Sequence, residues 1–285
     1  MGRLKELLTT DAESELVPST IYGILIESVR SVLVGTQICR RIGPDSIPGA
    51  SIDIDLNTTD SMIVEKTAET AEFSKSRAAA ETFNLKPVKR TIDIQISREM
   101  IEDSKFDVIE WQIQEAGYQM AKKMDLDILQ EIYDGADANS TDHLTDAGSA
   151  ITVAYLTATM KFIEADGYHP DYLIVNSGAA EDLRNIDTFV EADKLGSREA
   201  FERGLIGKIF GMKVIQTEQA ALAQSTYDYA LMCDSRHALV LAEKRPISIA
   251  RYDQANKDIV GIAVSARYEP RYLRAEACAA AYCTV

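Results

Sequence analysis

The chain has 285 residues, of which 46% are hydrophobic and 26% charged, and its 45 acidic and 30 basic side chains give a formal charge of −15. That apolar content suits one large or two small domains with genuine cores and excludes wholesale disorder, while the acidity argues against gripping nucleic acid through clustered Lys and Arg. No apolar run approaches the roughly 20 residues that cross a bilayer, and the start MGRLKELLTTDAESEL lacks the apolar stretch of a secretory signal, so a cytosolic chain without membrane contact is expected.

From the N-terminus, Leu4, Leu7 and Leu8, then Ile21, Ile24, Leu25 and Val29, suggest short helical segments in a docking arm over residues 1–43. Pro44, Pro48 and Gly49 break the chain, SIDIDL alternates as a strand, and residues 57–81 are polar and charge-mixed with few core side chains. Phe83, Leu85, Val88, Ile92, Ile94 and Ile96 stand at mostly even spacing, which places them on one face of an extended segment. Its second part, about Val88 to Ser97, is expected to return along the excursion that leaves at SIDIDL, making residues 44–97 a long two-stranded hairpin. Such a hairpin is marginal alone in water and must lean on a neighbour.

The period then changes. Ile109, Ile113, Ala116, Met120, Met124, Ile128 and Ile132 recur every three or four residues, the stripe of a helix over residues 105–134. At about 1.5 Å per residue it would be roughly 45 Å long, so it needs a large partner surface. Ile109, Ile113, Met120, Met124, Ile128 and Ile132 are its candidate core contacts. Ser104 with Asp107 resembles a capping box, and Gly135 suits the left-handed position just past a helix end.

The segment ADANSTDHLTDAGSA is small and polar, a linker into an αβ unit starting near Thr152. Thr152 can cap a helix over 153–165, Tyr172–Val175 is a short buried strand, and Ser177 can cap a helix carrying Leu183 and Ile186. Strands are expected at 212–216, 229–233, 238–242 and 247–252, then longer ones at 259–268 and 273–283. The class is α+β.

Chemical motifs are sparse. GLIGKIFG, Gly204 to Gly211, has neither the P-loop lysine followed by Ser or Thr nor the GxGxxG of a dinucleotide site, so its glycines read as turn residues. Ser177 in VNSGA lacks the GxSxG elbow, and His143, His169 and His237 are scattered. Cys39, Cys233, Cys278 and Cys283 show no paired CxxC spacing and read as reduced core thiols. Glu102 with Asp103 and Asp125 with Asp127 could do acid–base chemistry, but the first pair suits the positive end of the long helix. No catalytic site, cofactor or metal is expected.

A strand followed by SREMIEDS and a long helix closing in YDGA resembles the tailed-virus (Caudoviricetes) major capsid protein family with the Hong Kong 97-type capsid fold. HPDYLIVNSGAAEDLRNID, GLIGKIFGMKVIQTE and the closing strands from YALMCDSRHALV to AEACAAAY are similar to later segments of that family, in the same order, so the likeness runs from about Pro44 to the end. The resemblance implies an N-terminal arm (1–43), an extended hairpin or E-loop (44–97), a peripheral domain (98–150 plus about 245–285) whose spine helix spans 105–134, and an axial αβ domain (151–244) with some contribution from the C-terminal strands. It implies an extended loop lying across an adjacent subunit, with Glu65, Lys66, Glu69, Glu72, Lys75 and Arg77 as contacts. The implied function is a non-enzymatic shell protein, assembled as hexamers and pentamers in host cytoplasm into an icosahedral virion capsid. That shell holds double-stranded DNA without reading its sequence, and the implied partners are a scaffolding protein, a portal and decoration proteins. A shell of the same fold that encloses cargo enzymes, of the encapsulin type, is the alternative.

Overall fold

The computed structural model describes residues 34–47, 49–57, 64, 66, 67, 69, 80–103, 108–139, 143–148, 150–185, 208–221, 227–254 and 256–284. The chain order is β1 (Arg40–Ile42), β2 (Ile52–Asn57), β3 (Ala80–Leu85), β4 (Val88–Ser97), α1 (Arg98–Asp103) and α2 (Val108–Ala138). It continues with β5 (Leu144–Asp146), α3 (Val153–Ala165), β6 (Tyr172–Val175), α4 (Ser177–Arg184), β7 (Lys208–Ile209) and β8 (Met212–Gln216). Last come β9 (Tyr227–Cys233), β10 (Leu239–Gln254), β11 (Ile259–Tyr272) and β12 (Cys278–Thr284).

These strands form a four-stranded sheet, β1-β10-β11-β4, a six-stranded sheet, β5-β12-β9-β6-β8-β7, and the separate β2–β3 pair. Helix α2 packs against both large sheets at once. Ile113, Met120, Met124, Ile128 and Ile132 lie in one core with Ile94, Ile96, Ile262 and Val264 of the four-stranded sheet and Ile174, Leu231 and Cys278 of the six-stranded one. The period-two alternation of the strands sorts the rest. Tyr229, Leu231 and Cys233 face α2, whereas Ala230 and Met232 face the opposite layer, built on Leu156 and Ile163 of α3 and Leu183 of α4.

Several boundaries differ from the sequence reading, each for a physical reason. The strand returning against SIDIDL is β3, registered Ile52↔Leu85 through Asn57↔Ala80, while β4 leaves that hairpin after Lys86–Pro87 to pair with β11. Val88 consequently sits 53% exposed rather than on the shared apolar face. Helix α2 runs through Gly135 to Ala138. A Cβ on Gly135 would fall 3.2 Å from Cys278 Sγ and 3.3 Å from Tyr272 Cβ, so this glycine permits close helix–sheet approach instead of ending the helix. Ser104 and Asp107 lie outside the described residues. SREMIED instead folds as α1, with the Ser97 hydroxyl accepting the Met100 N–H at 3.2 Å, so Glu102 and Asp103 occupy the last turn of α1 and not the start of the long helix.

The segments expected at 238–242 and 247–252 are one strand, β10, with register shifts between Glu243 and Ser248 around Pro246, which has no N–H for the ladder. The expected 273–283 strand begins only at Cys278, because a 3-10 turn at Ala275–Ala277 carries the chain from one large sheet to the other. The polar linker also contains β5, paired in parallel with β12, and buried His143. Thr152 occupies the N-cap of α3 without a side-chain bond, and the α4 cap is Asn176, whose Oδ1 accepts the Ala179 N–H at 3.1 Å.

Ile113 is fully buried, so Ile113→Asp places an unpaired charge in the shared core. The soluble folded subunit should be lost, while Glu115→Ala on the exposed face of the same helix should leave soluble yield and circular dichroism unchanged.

Candidate assembly surfaces

The β2–β3 hairpin is two-faced. Asp55 accepts from Thr82 Oγ1 at 2.6 Å and Asp53 pairs with Asn84 on its exposed face, whereas Ile52, Ile54 and Leu85 turn toward Ile47, Val240 and Ala242. Side chains near the four-stranded sheet hold it at both ends, ahead of the root pair Ile52↔Leu85 and at the loop-end pair Asn57↔Ala80. Lys244 Nζ donates to the carbonyls of Ile47 (3.4 Å) and Gly49, and Arg274 Nη2 donates to the Asn57 carbonyl at 2.9 Å. The hairpin therefore leaves the core in a fixed direction. Of the loop residues expected to make contacts, Lys66 and Glu69 are exposed, and Glu65, Glu72, Lys75 and Arg77 lie outside the described residues.

The N-terminal segment also enters through a fixed root. Fully buried Asp125 of α2 accepts the Val34 and Gly35 N–H groups, both at 2.9 Å. Gly35 fits there because a Cβ would meet Asp125 Oδ1 and Ile128 Cδ1 at 3.1 Å. Burial raises the Asp125 pKa, and the two donated hydrogen bonds oppose that rise. The chain then adds β1 in parallel to β10, with Arg41 Nη2 2.7 Å from Glu243. The leucine and isoleucine clusters expected to form helices in residues 1–33 lie outside the described residues.

A second carboxylate two residues on, Asp127, points elsewhere. It accepts from Arg90 Nε and Lys123 Nζ, each at 2.8 Å, and from the Tyr268 hydroxyl at 3.1 Å, with the Arg90 guanidinium 4.3 Å from the Tyr268 ring centre. Asp125 and Asp127 thus tie α2 to different elements and form no acid–base pair. One turn further, Glu131 accepts the Tyr272 N–H at 3.2 Å, and burial pushes its pKa up to about 7. Lys123 to Asp127 is a helical i, i+4 pair, whereas spacing alone could not locate the ties to Val34, Gly35, Arg90, Tyr268 and Tyr272, whose partners lie far apart in sequence.

On the outer face of the four-stranded sheet, Tyr252 crosses Gly261, its directly opposed residue on β11. A Cβ at 261 would collide with the Tyr252 ring. The Tyr252 hydroxyl donates to Asp93 at 2.6 Å and receives Gln95 Nε2 at 3.2 Å, so one ring links three strands.

Ile109 is half-buried, whereas Ile113, Met120, Met124, Ile128 and Ile132 are buried along the α2 stripe. His143 lies between the Cys278 carbonyl (2.7 Å) and Asp166 (3.1 Å), and His237 pairs with Asp234 at 2.9 Å, both structural ties at strand ends. Cys233 and Cys278 face each other across β9 and β12 as free thiols, and burial raises both pKa values. Ser177 Oγ donates to Glu218 at 3.3 Å. Gly211 adopts φ +87 in the β7–β8 turn, and Gly204 and Gly207 lie outside the described residues. Among the described residues, no three His, Cys, Asp or Glu side chains converge as a metal site, and no helix is long and apolar enough to cross a membrane.

A sequence model of the family described as "phage capsid protein" matches residues 80–281. No curated protein has a matching sequence. Among solved structures, that of Mycobacterium phage Che8 is similar with a TM-score of 0.67 at 15% identity, covering 87% of this chain and 90% of that one. The capsid of a native GTA particle gives 0.67 at 18% identity, covering 88% and 89%. A virus-like particle from Pyrococcus furiosus gives 0.61 at 14% identity, covering 93% and 99%.

The Glu131 tie gives stability a defined pH dependence. Its folded pKa of about 7 lies above the ordinary 4.5, so its contribution is fully present below 4.5 and is lost as pH rises through 7. Glu131→Gln keeps an acceptor for Tyr272 and removes the charge. Its Tm should exceed the parent's at pH 8, with the gap closing as pH falls toward 4.5; an equal gap at both ends would show that burial of the carboxylate is not the cause.

Proposed function

The chain belongs to the phage capsid protein family, and we propose that it closes as hexamers and pentamers around double-stranded DNA. It is a major capsid protein, a structural subunit of an icosahedral virion shell and not an enzyme. The observation that supports the proposal is an α2-centred core with two fixed attachment points at its margin, Val34 and Gly35 on Asp125 and the β2–β3 pair at Lys244 and Arg274.

In this reading the loop beyond β2 and β3 lies across an adjacent subunit, where Glu65, Lys66, Glu69, Glu72, Lys75 and Arg77 meet its surface. Residues 98–150 with the strands from about 245 onward serve as the peripheral domain, joined by β4, and residues 151–244 with the C-terminal strand β12 as the axial domain converging on five-fold and six-fold axes. The arm docks on a further neighbour. Exposed charge pairs are weak singly, but around closed symmetry every subunit repeats every contact. The acidic chain confines DNA mechanically and does not condense onto it. Assembly in host cytoplasm with a scaffolding protein, a portal and decoration proteins completes the proposal.

The deciding experiment is negative-stain electron microscopy of the chain expressed alone, with absorbance at 260 and 280 nm on any particle fraction. Closed shells or hexameric sheets are expected. A monodisperse small oligomer would sink the shell reading, and shells filled with protein cargo would replace DNA packaging with cargo enclosure.

Replacing residues 58–79 by a two-residue Asn-Gly turn preserves the Asn57↔Ala80 pair. This variant should remain folded, with unchanged circular dichroism, and fail to close shells. Intact shells of the shortened chain would remove the loop from the assembly mechanism.

A further inference from the structure

Strands β7 and β8 are joined by just two residues, Phe210 and Gly211, between the opposed pairs Ile209↔Met212 and Lys208↔Lys213. Their φ angles are +50 and +87. Positive φ at both central positions defines a type I′ turn, for which Asn-Gly is the favoured pair because both residues tolerate the left-handed region. Gly211 fits that rule and Phe210 breaks it, since a bulky side chain in left-handed backbone is strained. Nor does burial compensate, because Phe210 is 47% exposed at the hairpin tip. Asp258, the other non-glycine residue with positive φ among those described, is of a type that tolerates this region.

A polar, left-handed-tolerant residue would thus serve the isolated subunit better on two counts. About half of the residue stands open to contact from outside the described fold, and backbone strain of this kind gathers where a side chain must be presented. We propose that Phe210 is an interface anchor whose ring enters an apolar pocket on a neighbouring copy of this chain. The inference rests on the shell reading and adds to it a specific contact.

Charge favours a second copy as the occupant. Phe210 is flanked by the exposed cations Lys208 and Lys213, the latter with Nζ 5.2 Å from the Tyr172 ring centre. The chain as a whole carries −15, so a second copy is on balance an acidic partner for these two lysines. An aromatic anchor inside a rim of opposite charge is the arrangement in which few residues dominate association and charge sets orientation. The hairpin also stands at the margin of the six-stranded sheet, with β7 as its last strand, and its Ile209 and Met212 pack in the α3–α4 layer and not in the α2 core.

The test uses full-length Phe210→Asn and Phe210→Tyr. In the unassembled subunit, Phe210→Asn relieves the strained turn and should raise Tm by about 2 °C. The same substitution should raise the subunit concentration at which shells form by about tenfold or more, the loss typical of an aromatic hot spot. Phe210→Tyr, which keeps the ring, should assemble near the parent threshold. Added salt should raise the parent threshold. A more stable Phe210→Asn subunit with an unchanged threshold would overturn the anchor role while leaving the shell reading intact. A destabilised Phe210→Asn subunit would also overturn it, by placing the ring's role inside its own fold. A parent chain that forms no shells at any concentration would overturn the functional reading itself.

Discussion

Helix α2 has 31 residues and carries one apolar stripe, and that stripe closes two sheets at once. The four-stranded sheet lays Ile94, Ile262 and Val264 against it, and the six-stranded sheet lays Ile174, Leu231 and Cys278 against it. Burying a side chain of Ile or Leu size contributes about 1.5–3 kcal/mol, so losing the stripe would open both cores together. The consequence is that one helix face joins the two sheets in a shared core. Gly135 marks how close the approach is, for a methyl group there would crowd Cys278 and Tyr272 and push the helix and sheet apart by a few tenths of an ångström.

The flanks of the same helix do a different job. Asp125, Asp127 and Glu131 emerge from the edges of the stripe and fix, in order, the entry of the N-terminal segment, the β4–β11 pair, and the end of β11. Each is a carboxylate held by N–H or O–H donors in a partly or wholly desolvated place, where leaving it without those donors would be costly. Such ties are poor sources of net stability, since burial is the largest influence on both Asp125 and Glu131 and raises each pKa despite the donated hydrogen bonds. Their value is directional. A segment held at Val34 and Gly35 by two hydrogen bonds enters the fold in one orientation in every copy, which a repeating shell needs and an apolar contact, being non-directional, does not guarantee.

Much of this was legible in the sequence wherever a period was sustained. The α2 stripe, α3, β6 and β8 stand where the spacing put them, because each is a local pattern with one competing reading at most. The errors fall where local pattern met a long-range constraint. Gly135 reads as a helix end until the sheet beneath it is known, and Val88–Ser97 reads as the hairpin's return until β11 claims it. Pro246 bends a single strand that looked like two, and the short 3-10 turn at Ala275–Ala277 divides what looked like one, since only topology reveals that the chain must change sheets there. The carboxylate ties were invisible for the same reason: Asp125 meets Gly35, and Glu131 meets Tyr272, only after the chain has folded.

A shell protein must associate with copies of itself and yet not aggregate as a free subunit, and the sheet margins show how both are met. β4 is an outer strand ten residues long, the kind of edge that invites indiscriminate strand pairing. Its exposed positions carry Lys89, Thr91, Asp93 and Gln95, and the Tyr252 ring ties Asp93 and Gln95 back across the sheet, so the edge is both charged and stiffened. The β2–β3 hairpin likewise turns Asp53–Asn84 and Asp55–Thr82 outward and keeps Ile52, Ile54 and Leu85 toward its root. With a chain charge of −15, free subunits repel one another at a distance. Association is then confined to the few places where apolar or basic groups stand outside that field, and geometry, rather than stickiness, decides which copies meet.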